Sequence, residues 1–413
     1  MEIENDCTIG KVAAFESIIE VQENLSYEDA LDNPKFQNMM DLAEELRRNE
    51  IRLNLNSAEL RPRVHEDEIT VNVKWPNKAT EMIETFMVAT NNSIGILLGE
   101  KNAPLPWRCH APPDAPEVEE LNAKFKNMGI NIELPMPSVK KFGQSEEAEL
   151  ASMLGDWANS GNIEISGLEN SNDQDDVAQY LKNVLDPDAR KDILISLKEA
   201  QQKANDLKSA TRRVVDHGLF YLLQRAIYSP ENLGHFGLNL NAYVHFTSPI
   251  RRYADLVVHR QLKSFLNEED WVHSEKEITE ISEQCTANSQ EAKSIEWELV
   301  ANAFHLHLLR GGTIESVENS QEKLELKQWP ARVVGLRNPW IFLDLLDDGA
   351  IRGKLHVSQL GDGRQLSTDE FGLHLINENS KESDDIILSL GKKFPCRLRG
   401  LDLWSGELDL API

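Results

Sequence analysis

The sequence predicts an α+β protein in which a mixed sheet with helices is followed by a small β-barrel. Two observations carry that prediction. Helical periodicities alternate with strand-like runs as far as residue 312, the last being a helix from about Ser274 to Leu309 that Gly311-Gly312 would stop. Beyond residue 328 the texture changes. Ala331–Leu336, Trp340–Leu345, Ile386–Leu390, Arg397–Leu401 and Glu407–Leu410 are short apolar runs separated by Gly, Asp and Asn turns, the pattern of a small barrel. The expected organisation is therefore 1–312, a charged connector at 313–327, and a barrel at 328–413.

Taken in order, residues 1–25 alternate around Val12, Phe15, Ile18, Ile19 and Val21, which predicts an extended strand. A helix from about Tyr27 to Glu50 carries Leu31, Met39, Met40, Leu42 and Leu46. Residues 51–75 alternate again, first at Ile51, Leu53 and Leu55, then at Ile69, Val71, Val73 and Trp75, as a hairpin or meander would. A strong helix follows from about Lys78 to Leu98. At about 100° per residue, Met82, Ile83, Phe86, Met87 and Ile94 form one stripe, with Glu84 and Asn91 together off its edge. A Pro-rich loop from Pro104 to Pro116 leads to a helix through about Met128. The region 140–230 is polar and helical with a loop at Gly161–Asp175, and no repeat of fixed period is present.

At 413 residues the chain has room for two to four domains, and 40% hydrophobic with 27% charged residues describes an ordinary globular protein. Cys7, Cys109, Cys285 and Cys396 are far apart, so neither a zinc site nor a disulfide framework is indicated and a reducing cytoplasm fits. The N-terminus lacks a basic-then-apolar signal, and no apolar run reaches the ~18 residues of a membrane span, so no membrane association is expected. The net charge of −26 demands that any nucleic-acid binding use a locally basic channel under an acidic exterior. Charge alone leans against such a partner.

The most informative stretch runs from Asn241 to Arg260. Ser248 suits an N-cap, Pro249 the first helical position, and Ile250, Ala254, Val257, Val258 and Phe265 an apolar face. Arg251 would then lie in the first turn, where a guanidinium and unpaired amides together hold an anion such as a phosphodiester. Arg251, Asp255 and His259 follow at four-residue spacing along one face. On these residues alone, a capped surface helix solvated by Arg–Asp pairs is the alternative.

The run Tyr243-Val-His-Phe-Thr-Ser-Pro-Ile-Arg-Arg-Tyr-Ala-Asp255, preceded by Gly234-His-Phe-Gly-Leu238, resembles the signature of the RNase II / RNase R family of 3′→5′ exoribonucleases. The order Pro330-Ala-Arg-Val-Val-Gly335, Trp340-Ile-Phe-Leu-Asp344, Gly353-Lys-Leu-His-Val-Ser-Gln-Leu360 and a late Leu390-Gly391 resembles the OB-type S1 RNA-binding domain that follows the nuclease (RNB) domain in that family. The resemblance implies the later part of an RNB nuclease domain, acting on single-stranded RNA and releasing nucleoside 5′-monophosphates. It assigns Arg251 to the last phosphodiester and Glu84 to the hydroxyls of the 3′-terminal ribose, with Thr85 and Thr90 departing from the usual residues. It assigns Tyr27, in Asn24-Leu-Ser-Tyr-Glu-Asp-Ala30, to stacking on a base, and Glu296, in Ser294-Ile-Glu-Trp-Glu-Leu299, to the neighbourhood of the active site.

In the barrel, Trp340 and Phe342 sit two apart and would share a strand face, where Lys354 and His356 could complete a stacking and phosphate surface. Each assignment has a plainer rival: a solvated glutamate for Glu84 or Glu296, a half-buried tyrosine for Tyr27, core packing for Trp340 or Phe342.

The family hydrolyses RNA with Mg²⁺ held by an Asp-x₅-Asp-x-Asp-Asp cluster. In its members the cluster lies upstream of the segment resembling Thr8-Ile-Gly-Lys-Val-Ala-Ala-Phe15, so the metal ligands are expected outside this sequence. Asp173-Gln-Asp-Asp176 imitates part of the cluster but is out of order, and reads as the acidic start of a helix near Val177. Three readings stand: part of a complete exoribonuclease, half of a split nuclease whose aspartates lie on a second polypeptide, or a non-catalytic RNA-binding subunit.

Overall fold

A computed structural model describes residues 1–4, 8–49, 59–65, 68–113, 115–135, 187–205, 209–309, 314–315, 323–324, 329–345, 352–360, 365–369, 372–377, 386–402 and 407–412. The expectations for Ile51–Leu55, for the loop at 161–175, for Asp173–Asp176 and for the Gly311-Gly312 stop lie outside those residues.

The expected N-terminal strand does not form. Apart from an isolated bridge between Ile3 and Ile9, residues 8–25 pair with no described strand, and Phe15, Ile18, Ile19 and Val21 are exposed. Alternation supplies one apolar face, but a strand also needs a neighbour to complete its ladder. The helix expected over 27–50 is interrupted at Asn33-Pro34. Helix α1 (Tyr27–Leu31) starts in a capping box between Ser26 and Asp29, and α2 (Gln37–Asn49) follows a single 3-10 turn. Strands β1 (Glu59–His65) and β2 (Glu68–Lys74) form an antiparallel hairpin, whose second strand falls on the alternation expected at Ile69–Trp75 and whose first lies beyond the run expected at Ile51–Leu55.

Helix α3 (Lys78–Gly99) matches its expected span and begins at Asn77, which exchanges hydrogen bonds with Thr80. Its buried stripe is rotated from the expected one. Met82, Thr85, Val88, Asn91, Ile94 and Leu98 face inward, whereas Ile83 is exposed. The "loop" at 104–116 contains β3 (Trp107–Cys109), which pairs with β4 (Ile227–Ser229). Gly99 lets α3 lie on β3, since a Cβ there would stand 2.9 Å from the Trp107 ring.

Helices α4 (Ala115–Asn127), α5 (Pro187–Asn205) and α6 (Ser209–Tyr221) enclose one core around Phe125, Leu194, Leu197, Leu219 and Phe236. A second core joins Ile94, Leu98, Trp107, Val244, Val258 and Leu262, and so clamps β3 and the chain at 242–246 between α3 and α7 (Tyr253–Asn267). Helix α8 (Glu275–Leu309) runs past this core and on to the β1–β2 hairpin.

The connector is not wholly irregular, because β5 (Ile314–Glu315) pairs with β6 (Lys323–Leu324). Beyond it, β7 (Trp329–Arg337), β8 (Trp340–Asp344), β9 (Arg352–His356), β13 (Lys393–Asp402) and β14 (Glu407–Pro412) close a five-stranded barrel in the order β13-β14-β9-β8-β7. Strands β10 (Leu366–Thr368), β11 (His374–Asn377) and β12 (Ile386–Ser389) form a separate sheet. Val71 of β2 and Phe304 of α8 belong to the barrel's core, so barrel and hairpin share apolar packing. Helices with two- to five-stranded sheets make the molecule α+β, as expected. Among the described residues no helix is long and apolar enough to cross a membrane.

Candidate nucleic-acid interface

Helix α7 starts four residues later than a Ser248 cap would allow. Its N-cap is Arg252, in extended conformation, and Pro249–Arg251 form a turn closed by the Arg251 and Arg252 N–H groups on the Ser248 carbonyl, at 3.3 and 3.1 Å. The cause is Asp255. Its side chain is fully buried, and its Oδ1 accepts the Ser248 N–H at 2.7 Å and Arg252 Nη2 at 2.8 Å. Arg252 Nε stands 2.8 Å from Oδ2, misaligned for a hydrogen bond but in ion-pair contact.

Arg251 therefore lies outside the helix, and it is Arg252 that pairs with Asp255. The expected Arg251–Asp255–His259 face does not exist, and His259 instead stacks on Phe246, with ring centroids 4.0 Å apart. Ile250 is wholly exposed rather than part of an apolar face. The Arg251 side chain is exposed and has no ion-pair or hydrogen-bond partner among the described residues.

Behind this turn lies a recess built from three chain segments. The Arg108 N–H donates to the Tyr243 carbonyl at 2.8 Å, and Arg108 is paired in register with Tyr228 across β3–β4. The Arg108 guanidinium rests over the Tyr228 ring, 4.7 Å from its centroid. The Tyr228 hydroxyl and His245 Nδ1 share a hydrogen bond of 2.7 Å, and the Tyr243 ring meets His235 and His245 edge-on. Asn91, expected at the rim of α3, is buried here. Its Nδ2 donates to the Tyr243 hydroxyl at 3.1 Å and its Oδ1 accepts the Phe246 N–H at 3.0 Å.

The electrostatics are cationic but the imidazoles are neutral. Burial first, then the Arg252, Arg108 and Arg251 charges, press the His245 pKa down to about 2. Burial lowers His110 to about 4 and drives His235 well below the ordinary histidine range. The same burial lowers Arg108 and raises Tyr228 and Tyr243. An anion would therefore meet guanidinium charges and neutral ring N–H or O–H donors.

Among the described residues no group of three or more His, Cys, Asp or Glu could hold a metal ion, and both Asp255 oxygens are engaged by Arg252. These residues do not fit a Mg²⁺ site.

The other expected positions are dispersed. Tyr27 is 43% exposed at the start of α1, and α1 is tied to β2 by Lys74 and Glu28, 2.6 Å apart. Glu84 is exposed on α3, with Arg47 of α2 3.9 Å away. Glu296 is exposed on α8, about 16 Å along the helix axis from Cys285. On the barrel, Trp340 and Phe342 share the outward face of β8 opposite the buried Ile341 and Leu343. Lys354 Nζ lies 4.3 Å from the Trp340 ring centroid, and His356 meets that ring edge-on at 5.0 Å.

Residue-by-residue reading missed Arg108, Arg252, Tyr228, Tyr243 and His245 as a unit. Part of the signal was present: period-two alternation puts Tyr243, His245 and Thr247 opposite Val244 and Phe246. Nothing in the Pro-rich stretch marked Arg108.

Two curated relatives are Ribonuclease R of Thermotoga maritima, 27% identical over 328 residues (73% of this chain, 38% of that protein), and Ribonuclease R of Mycoplasmopsis pulmonis, 24% identical over 413 residues (92% and 47%). Among solved structures, Mycoplasma genitalium RNase R in complex with ribose-methylated single-stranded RNA superposes with a TM-score of 0.61 at 17% identity, over 92% of this chain and 49% of that one. That likeness shows the fold. The chain thus spans about half the length, or less, of the proteins it resembles. The RNB domain model matches residues 1–268, a span that contains both the β3–β4 recess and the Ser248–Asp255 turn, and the chain belongs to the RNB-domain family.

Proposed function

We propose that this chain serves the 3′→5′ exoribonucleolytic hydrolysis of single-stranded RNA to nucleoside 5′-monophosphates, supplying the part of the site that grips the RNA 3′ end. The observation that carries the reading is Arg251. Its neighbour Arg252 satisfies the buried Asp255, which leaves the Arg251 guanidinium exposed on a turn pinned at both ends. A rigidly presented, unpaired guanidinium suits the developing charge on a scissile phosphodiester.

Glu84 would accept hydrogen bonds from the hydroxyls of the terminal ribose, and the 2′-OH is what distinguishes RNA there. Tyr27, exposed at a capped helix start, would stack on a base. Glu296, exposed on α8, would contact the RNA near the active site. The barrel, read as an S1-type OB fold, would hold upstream nucleotides on Trp340, Phe342 and Lys354. Carboxylates other than those described, on this polypeptide or on a second one, would hold the Mg²⁺, whose chemistry would be to make a bound water nucleophilic. A cytoplasmic location accords with such a substrate.

The test is a Mg²⁺-dependent assay with labelled poly(A) and purified chain, alone and with an aspartate-bearing RNB fragment added. Mononucleotide release that disappears in Arg251→Ala supports the reading. RNA binding with no release under either condition would favour a non-catalytic RNA-binding subunit. Full turnover by Arg251→Ala would remove the phosphate role.

A further inference from the structure

We propose that Arg108 forms a second phosphate site, which holds the RNA phosphodiester next inward from the one at Arg251. This rests on the RNA-binding reading above and adds a ligand to it.

Arg108 has no counterion among the described residues. Arg108 Nη1 is enclosed with no hydrogen-bond partner, and the guanidinium has no ion pair with any described residue. Isolated buried cations are costly, and buried charges are normally paired. Glu231, the nearby carboxylate whose backbone carbonyl accepts the Cys109 thiol, does not pair with Arg108. Asp255 is neutralised by Arg252. Three guanidinium groups, Arg108, Arg251 and Arg252, thus act on His245, and among the described residues only Arg252 is paired with a carboxylate, that of Asp255. That excess of positive charge occurs in a chain with 43 basic against 69 acidic residues.

What holds Arg108 in place is aromatic and backbone: the Tyr228 ring beneath the guanidinium, and the Tyr243 carbonyl on its N–H. Neither neutralises it. A planar, weakly hydrated fork backed by a ring matches the geometry of a phosphate ligand. The Tyr228 hydroxyl anchors the neutral His245 ring to the strand paired with that of Arg108, and both Arg108 and Arg251 act on that ring, so consecutive phosphates of one strand would lie beside it.

The experiment uses the full chain and short oligoadenylates in EDTA, each carrying one neutral methylphosphonate linkage at a chosen distance from the 3′ end, with affinity read by fluorescence anisotropy. The expected result is that two adjacent linkages matter, each weakening binding about tenfold. Arg251→Ala becomes insensitive to neutralisation of the first, and Arg108→Gln becomes insensitive to neutralisation of the second. Arg108→Gln should also reduce the log–log salt slope by about 0.7, the increment for one contact to a single strand, while Arg108→Lys keeps the slope.

If Arg108→Gln does not fold, the wild-type linkage scan and Arg108→Lys decide, because loss of the fork alone should blunt the second linkage. A single sensitive linkage overturns this inference and leaves the Arg251 reading intact. So does an Arg108→Gln variant that weakens binding equally at every linkage. Binding of AMP that depends on Arg108, with a flat linkage scan, replaces the diester by a free phosphate monoester and also overturns it. No binding of any oligoadenylate by the wild type sinks both readings.

Discussion

Arg251 and Arg252 are identical in type and adjacent in sequence, yet should respond to alanine in opposite ways. Removing Arg252 leaves the fully buried Asp255 carboxylate with only the Ser248 N–H at 2.7 Å. Breaking a buried pair costs about 3–5 kcal/mol. The Arg252 side chain is 23% exposed, so solvent already screens part of the contact and about 3 kcal/mol is expected. Arg251→Ala removes an exposed side chain without a partner and should stay within about 0.5 kcal/mol of wild type. In hydrolysis the order reverses in kind. Arg251→Ala should lose on the order of 3–4 kcal/mol of transition-state stabilisation, roughly 10²–10³ in rate, at unchanged stability. Urea unfolding followed by tryptophan fluorescence gives the first pair of numbers, and single-turnover hydrolysis in an active reconstituted enzyme gives the second. Equal unfolding midpoints for the two variants, or an Arg251→Ala chain less stable than Arg252→Ala, would refute the assignment of Asp255 to Arg252.

Asn91→Leu should cost about 2–3 kcal/mol, because it strands the buried Phe246 N–H and the Tyr243 hydroxyl together, and amide exchange at Phe246 should accelerate in step. Stability should also fall with acid. His245 at about 2 and His110 at about 4 stay neutral in the fold while the unfolded chain takes up protons near 6.5. Their contribution is thus complete above about pH 7 and is lost as pH drops through 6.5, at up to about 1.4 kcal/mol per pH unit for each ring. A urea midpoint that is flat between pH 7 and 5 contradicts the buried neutral imidazoles. Trp340→Ala should weaken RNA binding by about 1–3 kcal/mol if one base stacks there, with little change in unfolding, since the ring lies on the outer face of β8. Unchanged RNA affinity would return Trp340 to a packing role. Deleting the whole barrel is a poorer test, because it would uncover Val71 and Phe304 as well.

What was legible in the sequence follows the range of the interaction involved. Helix α3 was placed nearly to the residue because its start is a local exchange between Asn77 and Thr80. The barrel strands were read from short apolar runs, and alternation within β8 put Trp340 and Phe342 on one face; register then pairs Trp340 with His356 and Phe342 with Lys354, so Lys354 meets Trp340 diagonally. The same alternation failed at Phe15–Val21, where no described partner strand completes it. The Ser248 cap failed for a subtler reason. Spacing allows Asp255 to meet either Arg251 at i−4 or Arg252 at i−3, and the extended backbone at Arg252 decides between them. Arg108 was invisible because its meaning depends on Tyr228, 120 positions away, and on Tyr243.

The distribution of ion pairs offers a way to separate functional cations from solvating ones in so acidic a chain. Most basic side chains near a carboxylate are captured by it: Lys35 by Glu23, Lys74 by Glu28, Lys78 by Glu44, Lys124 by Glu120 and Lys263 by Glu16. Exposed pairs of this kind contribute little to stability, but each lowers the positive field a phosphate would meet. Arg108 lies on Tyr228 and Lys354 lies over Trp340. A ring quadrupole orients a cation without cancelling its charge. With screening lengths near ~8 Å at physiological salt, RNA feels the acidic exterior as repulsion until it is almost in contact. The strand should therefore be held only where a cation is fixed by an aromatic ring or a pinned turn. The recess beside Arg251 and the outer face of the barrel are two such places, and Arg260 over Tyr253 and Lys101 over Phe265 are looser instances of the same contact.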